Sequence, residues 1–346
     1  MSLISIWYII LAIFVFGVLI FIHEFGHFIC ARLCGVTIKE FAIGMGPQII
    51  SWNSKKHETK YSLRLLPIGG YVSMLGEDEA SDSESAFNNK SVWKRLLIII
   101  AGPMMNLILG FLVMIIMVTS VGTLYSTTVE YVGDAPAVSE SFGIMDGDQI
   151  VKIGKTRVHT WYEVNYEITY QGSEPVDVTV KRNGEKLVVE NVVFPTSQVD
   201  GMTFGRADFV PQTEDFNVIS VIKHSFFRSL STVKMIVDSF VDLLSGKYGL
   251  EAMSGPVGIT QTIGDFASLG MYYFLYIFVV ITINLGVFNL FPIPALDGGR
   301  LLFLIIEAII GRPLDPKIEG YIHFGGLVIM LGLVLVVTFN DILRLF

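Results

Sequence analysis

Four long apolar runs dominate the pattern of hydrophobic and polar positions along the chain. A helix needs roughly 20 apolar residues to cross the hydrocarbon core of a bilayer, and each run meets that length. The runs are approximately Ile4–Leu33, Leu96–Thr119, Tyr272–Phe291 and Tyr321–Phe339. The first run is not typical of a cleaved signal peptide, because no Lys or Arg precedes Phe16 and no small-residue cleavage site follows it. The pattern predicts a polytopic membrane protein with four transmembrane helices.

The segment between the first two runs, residues 36–77, alternates short apolar-rich stretches with Gly, Pro and an Asn-Ser-Lys-Lys break. Such stretches are typical of the strands of small hairpins. They are Val36–Ala42, Gln48–Trp52, Tyr61–Leu66 and Gly70–Leu75. Because the stretches are apolar and flanked by spans, we expect a membrane-associated β-hairpin region whose backbone is hydrogen-bonded or lines a cavity enclosed by protein.

Between the second and third runs, the pattern is that of a water-soluble domain followed by an amphipathic helix. The predicted elements of the domain are strands at Gln149–Ile153, Val176–Lys181 and Lys186–Val193, with a helix at Trp161–Tyr170. From Val218 to Leu244, apolar positions recur at helical spacing and charged residues occupy the other face. This predicts a helix that either packs on the protein or lies at the membrane surface.

Composition agrees with the membrane assignment and narrows the function classes. Hydrophobic residues make up 52% of the chain and charged residues 16%, whereas soluble domains average about 25% charged. The net charge of −8 gives no basic surface for nucleic acid. The only cysteines, Cys30 and Cys34, are four residues apart. We interpret them as ordinary small residues of a membrane helix, although a ligand pair or a thiol couple stays open.

Positive charge near the ends of the spans predicts the orientation. Lys and Arg follow the first span, precede the second, and lie between the third and fourth. They are Arg32, Lys39, Lys55, Lys56, Lys60, Arg64, Lys90, Lys94, Arg95, Arg300, Arg312 and Lys317. We therefore expect both of these loops in the cytoplasm and both termini outside, with Arg344 as the one opposing charge.

Two histidines and a glutamate lie inside the first apolar run. Ionisable residues are costly at membrane depth and are usually functional there. His23, Glu24 and His27 have the H-E-x-x-H spacing, in which both imidazoles lie on one face of a helix and can bind one zinc ion. The glutamate then lies beside the metal, where a carboxylate can accept a proton from bound water. The alternative is a pair of core histidines with an acidic partner, which the apolar surroundings disfavour.

A catalytic zinc site normally uses three protein ligands. The other histidines, His57, His159, His224 and His323, are expected to be structural or surface residues. Asp297 is the better candidate, because it follows Pro292 and Pro294, whose freed backbone groups need a cavity, water or a ligand. Gly298 and Gly299 follow it and permit close backbone approach.

Three functions fit these residues: an intramembrane endopeptidase, a metal transporter or sensor, and an inactive scaffold that binds membrane proteins. Transporters tend to contain internal repeats of broken spans, and the sequence has none that we detect. A transporter also gives no role to Glu24 between the two histidines. The complete set of metal ligands and base argues against the inactive scaffold.

The chain resembles the site-2 protease family of intramembrane zinc metalloproteases, in its bacterial branch. The resemblance rests on His23–His27 and on the Asn289–Gly298 stretch NLFPIPALDG, and it covers essentially the whole chain. Further matching stretches are Gly69–Val72, Gly102–Asn106 and Ser254–Ile259, and Ala135–Ile153 resembles a bacterial PDZ domain. Some relatives have two PDZ domains, whereas this chain has room for one.

The resemblance implies the site residues and the activity. Zn²⁺ would be held by His23, His27 and Asp297, with Glu24 as general base and then general acid. Asn289 would help to hold the substrate or stabilise the oxyanion, and Asn284 has a vaguer role near the site. The hairpin-edge residues that would pair with extended substrate are Gly69, Gly70, Tyr71 and Val72. Implied substrates are single-span membrane proteins such as anti-sigma factors, or remnant signal peptides, and the PDZ-like domain would recruit a peptide or chain terminus or act as a size filter.

The predicted fold is a polytopic α-helical membrane protein with four transmembrane helices, a membrane-associated β-hairpin region and an extracytoplasmic PDZ-like α+β domain. We expect it in the bacterial cytoplasmic (inner) membrane, with the active site towards the cytoplasm. The predicted parts are residues 1–122 as the N-terminal membrane part, 123–212 as the PDZ-like domain, 213–270 as amphipathic helix and linker, and 271–346 as the C-terminal membrane part.

Overall fold

A computed structural model of the chain describes residues 6–54, 59–77, 79, 81–133, 137–199, 202–247, 249 and 253–344. The predictions for His57 and for the start of the PDZ-like motif at Ala135 lie outside the described residues. The helices are α1 (Ile6–Leu33), α2 (Val92–Val121), α3 (Val138–Ser141), α4 (Trp161–Gln171), α5 (Val218–Leu244), α6 (Pro256–Ser268), α7 (Met271–Leu290), α8 (Asp297–Ile310) and α9 (Pro316–Leu343). The strands are β1 (Ile38–Asn53), β2 (Lys60–Met74), β3 (Leu124–Glu130), β4 (Gln149–Ile153), β5 (Thr156–Arg157), β6 (Val176–Arg182), β7 (Glu185–Val192), β8 (Thr196–Val199), β9 (Met202–Gly205) and β10 (Val210–Glu214).

Helices α1, α2, α7 and α9 are long and apolar enough to cross a membrane. They match the four predicted spans within a few residues. The chain divides into two compact units, one of residues 1–113 with 235–346 and the other of residues 114–234. The first unit holds three of the candidate spans entire and most of α2, together with β1 and β2.

The hairpin region of the first unit consists of two long strands that pair in several stretches. Residues 48–53 pair with 60–64, residues 40–43 pair with 60–63, and residues 38–43 also pair with 70–74. The four predicted stretches all pair as strands, which confirms the prediction. The first two stretches belong to one continuous strand, β1, and the last two to another, β2, and each strand bends between its two stretches. Bends occur at Gly44 (φ 86°) and Gly69 (φ 88°), conformations that glycine adopts without a steric cost. Among the described residues, the stretch 70–74 pairs only with β1 and forms an edge.

One face of this sheet packs on α1. A buried apolar cluster contains Phe28 and Ala31 of α1, Phe41 and Val72 of the sheet, and Leu301 of α8. Large apolar side chains elsewhere on the sheet are exposed, namely Ile43, Met45, Ile49, Ile50, Trp52, Leu63, Leu65 and Leu66. Exposed apolar surface of this extent is unusual for a face in water and agrees with contact with lipid.

The second unit is an α+β domain. Its main sheet has the order β10-β3-β4-β6-β7, with β5 paired to β4. Alternate residues of β6 and the isoleucines of β4 lie in a core completed by α4, including Ile150, Val178 and Ile168, all fully buried. The predicted strands and helix between Gln149 and Val193 are confirmed within one or two residues. The turn between β6 and β7 contains Asn183 and Gly184, both at positive φ, as two-residue hairpin turns of type I′ require.

Helices α6 and α8 were missed by the sequence analysis. With 13 and 14 residues, each is too short to span a bilayer, and both lie close to long apolar runs that dominate the local pattern. Helix α6 packs on α1, where a side chain on Gly264 would overlap the ring of Tyr8. Helix α8 begins at Asp297, so this residue lies in the first turn of a helix.

Candidate metal centre

Helix α1 brings the two histidines of the H-E-x-x-H motif together. His23 and His27 are both buried, and their Nε2 atoms lie 3.2 Å apart with the rings nearly perpendicular. One helical turn separates positions i and i+4, so the sequence spacing alone accounts for this approach.

Asp297 reaches the same point from the first turn of α8. Its Oδ2 atom lies 3.0 Å from His23 Nε2 and 3.4 Å from His27 Nε2. Two ligand atoms on a tetrahedral zinc at about 2.0–2.1 Å are about 3.3 Å apart, so the three separations fit one such ion. Within the part of the chain that the structure describes, these three residues form the one group of His, Cys, Asp or Glu close enough to share a metal.

Hydrogen bonding indicates that His27 Nε2 and Asp297 Oδ2 both present lone pairs to this point. His27 donates its Nδ1–H to the carbonyl of Ile98 at 2.8 Å, which leaves its Nε2 in the neutral ring as a lone pair. Asp297 Oδ2 is buried and has no hydrogen-bond partner of its own. A cation at this point satisfies all three groups.

Helix α2 supports the histidines, and sequence analysis gave its residues no role. A side chain on Gly102 would overlap His27 Nε2. Asn106 is fully buried, with Nδ2 3.4 Å from His23 Nδ1 and Oδ1 without a partner. A half-turn of this amide would let Oδ1 accept the Nδ1–H of His23 and leave the Nε2 lone pair free for a metal. A buried Asn in an apolar span was the sequence signal that could have identified it.

Glu24 lies between the histidines and the edge of the sheet. A Cβ atom on Gly70 would be 3.5 Å from Glu24 Cγ, and the backbone N–H of Val72 is within hydrogen-bonding reach of the Glu24 carboxylate. The predicted hairpin residues and the predicted base are therefore neighbours.

Asn284 and Asn289 lie on α7 and are both half-buried. Five residues correspond to a rotation of about 140° between them around the helix. They therefore cannot face the same point, and their roles stay predictions.

The segment between α7 and Asp297 is irregular. Ala295 has a φ of 75°, in the left-handed region that residues with a Cβ rarely adopt. Side chains on Gly298 or Gly299 would overlap the backbone at Phe291 and Ile293, which confirms the predicted close approach.

Three of the remaining histidines have partners outside the metal group. His159 stacks on Phe227 with ring centroids 3.9 Å apart, and His224 hydrogen-bonds to Glu214 at 2.9 Å. His323 accepts a hydrogen bond from the backbone N–H of Ala295 at 2.9 Å. The expectation of structural roles is met for these three.

Comparison with known proteins assigns the chain. Residues 11–333 match peptidase family M50. A protein of Clostridium acetobutylicum is 37% identical over 339 residues, which is 98% of each chain. The zinc metalloprotease RasP of Geobacillus kaustophilus is 32% identical over 421 residues, covering 96% of this chain and 97% of the relative. The regulator of sigma-W protease RasP of Bacillus subtilis is 30% identical over 416 residues, covering 96% and 98%.

These relatives favour the peptidase over the transporter and the inactive scaffold, because the shared family is defined by proteolysis and the relatives are named for zinc. The four membrane-spanning candidates and the buried ligand group agree with that assignment. The chain belongs to peptidase family M50, the site-2 protease family, and is a membrane zinc metalloprotease.

Proposed function

We propose that the protein is an intramembrane endopeptidase that cleaves peptide bonds within or beside the transmembrane segments of single-span membrane proteins. His23, His27 and Asp297 hold the zinc ion, and Glu24 is the catalytic base. The observation that supports this most strongly is the convergence of two imidazole nitrogens and a carboxylate oxygen, 3.0–3.4 Å apart, in a buried place.

Each residue has a separate part in the reaction. When bound, zinc polarises the scissile carbonyl and lowers the pKa of a coordinated water. The Glu24 carboxylate accepts a proton from the water as the oxygen attacks the carbonyl carbon. The same carboxyl group then donates that proton to the leaving amide nitrogen, and the C–N bond breaks. Asn289 stabilises the oxyanion or holds the substrate, and Asn284 contributes near the site.

The edge stretch 70–74 supports substrate binding by strand addition. A peptide bond within a transmembrane helix has its carbonyl already hydrogen-bonded, so the helix must unwind before attack. Pairing of the unwound peptide with Gly69, Gly70, Tyr71 and Val72 replaces the lost backbone hydrogen bonds. The contact of Val72 and Gly70 with Glu24 would bring a paired peptide beside the base.

The α+β unit fits the role of a PDZ-like domain that binds an extended peptide or chain terminus, or excludes substrates with bulky outer domains. The alignments with the RasP proteins are longer than this 346-residue chain, which agrees with one such domain here and a larger region in RasP. The name of the Bacillus subtilis relative, a regulator of sigma-W protease, favours anti-sigma-factor-like substrates. The proposed location is the cytoplasmic membrane, and the distribution of Lys and Arg favours an orientation with both termini and the PDZ-like domain outside and the site towards the cytoplasm.

The test uses the detergent-purified full chain and a single-span test substrate. Glu24→Gln should retain zinc and lose cleavage, whereas Asp297→Ala should lose both. Glu190→Gln, which changes an exposed acid on β7, is the matched control and should retain both. Zinc is measured by mass spectrometry and cleavage by gel. Cleavage by Glu24→Gln at the wild-type rate would refute the proposal.

A further inference from the structure

The segment that carries Asp297 into the site is held by contacts from α9. Residues 291–296 connect α7 to α8 without regular structure, and Ala295 has the left-handed φ of 75°. A residue with a Cβ does not keep this conformation unless its surroundings impose it. One residue, Leu296, separates Ala295 from Asp297, so any change in the backbone of Ala295 redirects the metal-facing carboxylate.

Two residues on one face of α9 hold that backbone. His323 Nδ1 accepts the N–H of Ala295 at 2.9 Å. Three positions further on, Gly326 lies directly against Pro294, where a side chain would overlap the proline. Positions i and i+3 are neighbours on a helix surface. One face of α9 therefore contacts both Pro294 and Ala295, which lie just before Leu296 and Asp297.

Among the described residues, the imidazole of His323 makes a hydrogen bond only to the backbone of Ala295. Because Nδ1 accepts a hydrogen bond, the proton of the neutral ring lies on Nε2. That nitrogen is buried without a hydrogen-bond partner, and Glu319 Oε1 is 3.9 Å away. The ring of Phe303 from α8 packs beside the imidazole, with centroids 5.5 Å apart. A buried Nε2–H without a hydrogen-bond partner costs stability. Such a cost is expected where the bond from Ala295 to Nδ1 has a role.

We propose that His323 is a positioning residue for the metal centre. By accepting the N–H of Ala295, it imposes the left-handed turn that aims Asp297 at His23 and His27. This inference rests on the proposed function, in which Asp297 is a zinc ligand. It gives His323 a specific role in place of the general structural one expected from sequence.

The experiment compares zinc affinity in three variants of the detergent-purified full chain. His323→Leu removes the acceptor, whereas His323→Asn keeps a side-chain oxygen near the position of Nδ1. His224→Leu removes a buried histidine of the other unit and is the control for loss of a histidine. Zinc affinity is measured by competition with a chelating dye, and unfolding temperature is recorded on the metal-free protein.

We expect His323→Leu to weaken zinc binding about 10- to 100-fold, the range for loss of a residue that orients a metal ligand, and to lower kcat more than it raises KM. His323→Asn should recover most of the affinity, and His224→Leu should bind zinc as wild type does. Wild-type affinity in His323→Leu overturns the inference, as does an equal loss in the Asn and Leu variants.

The unfolding measurement separates positioning from general stability. If His323→Asn lowers the unfolding temperature as much as His323→Leu does and does not restore zinc binding, the inference is also overturned. Asp297→Ala distinguishes the two proposals. If it loses zinc while His323→Leu does not, the proposed ligands stand and the positioning role fails. If Asp297→Ala keeps its zinc, the proposed function itself fails.

Discussion

The histidine pair and the aspartate reach the same point by different means. His23 and His27 are held by a regular helix, whose pitch alone brings their Nε2 atoms within 3.2 Å. Asp297 is held by an irregular segment that depends on Gly298, on Ala295 in a left-handed conformation and on His323 from another helix. The approach of the two histidines depends on residues close together in sequence, whereas the position of Asp297 depends on contacts with residues distant in sequence. Substitutions far from the chemistry should therefore damage the aspartate side more readily than the histidine side.

The largest effect should come from Gly102→Ala, which disturbs the packing of α2 against the histidine side. The added methyl group would overlap His27 Nε2, so His27 must leave its position. A displacement of about 1 Å at a reacting centre can cost about 100-fold in rate. Zinc content and cleavage should both fall to near background. Gly332→Ala, at a helical position with open space around it, is the control, and equal activity in the two variants would contradict the packing described for α2.

Gly298→Ala tests the aspartate side with a similar insertion. The new Cβ would overlap the backbone of Phe291, so the start of α8 must move away from α7. Overpacking of this kind costs about 1–3 kcal/mol, and we expect a lower unfolding temperature together with weaker zinc binding. Gly325→Ala, which faces open space, should change neither property. A Gly298→Ala protein with unchanged zinc affinity would show that Asp297 tolerates movement of its backbone.

Asn106→Ala should have a smaller effect on the histidine side. It removes the amide beside His23 Nδ1 but leaves the imidazole on its helix. Loss of such a partner typically costs 10- to 100-fold in metal affinity, and we expect about 10-fold because the helix still orients His23. Asn106→Asp, which retains an acceptor for the Nδ1–H, should lose less. Chelator competition measures both, and a reversed order would indicate that the amide does not orient His23.

The smallest effect should come from Glu77→Gln, which weakens the ion pair between Glu77, after β2, and Arg300 of α8. Arg300 is partly exposed, so the pair should contribute no more than about 1 kcal/mol. We expect a fall of a few-fold in cleavage with zinc binding nearly unchanged, because Asp297 keeps its other contacts. A loss of zinc comparable to that in Gly298→Ala would mean that the sheet also positions the metal ligand.

The same contrast explains what the sequence could predict. The four spans, three strands and a helix of the α+β unit, and the pair His23 and His27 follow from local periodicity and spacing, and the structure has them. Asp297 could be nominated because two prolines and two glycines surround it. The helices α6 and α8 were missed because their periodicity is short and lies beside long apolar runs.

The contacts that hold the site together were beyond local reasoning. Ala295 and His323 are 28 residues apart, and His23 and Asn106 are 83 residues apart. Neither distance leaves a local signal, and a single histidine near the start of a span does not reveal which backbone group it binds. The positive φ of Ala295 is also invisible in sequence, because alanine normally avoids that conformation.

The central claim is that two imidazoles and one carboxylate hold the zinc ion. X-ray absorption spectroscopy at the zinc edge of the purified protein tests it most directly. We predict nitrogen and oxygen ligands at about 2.0–2.2 Å with a contribution from two imidazoles, and loss of this signal in Asp297→Ala. A sulfur ligand at about 2.3 Å, pointing to Cys30 or Cys34, or an unchanged spectrum in Asp297→Ala, would contradict the claim.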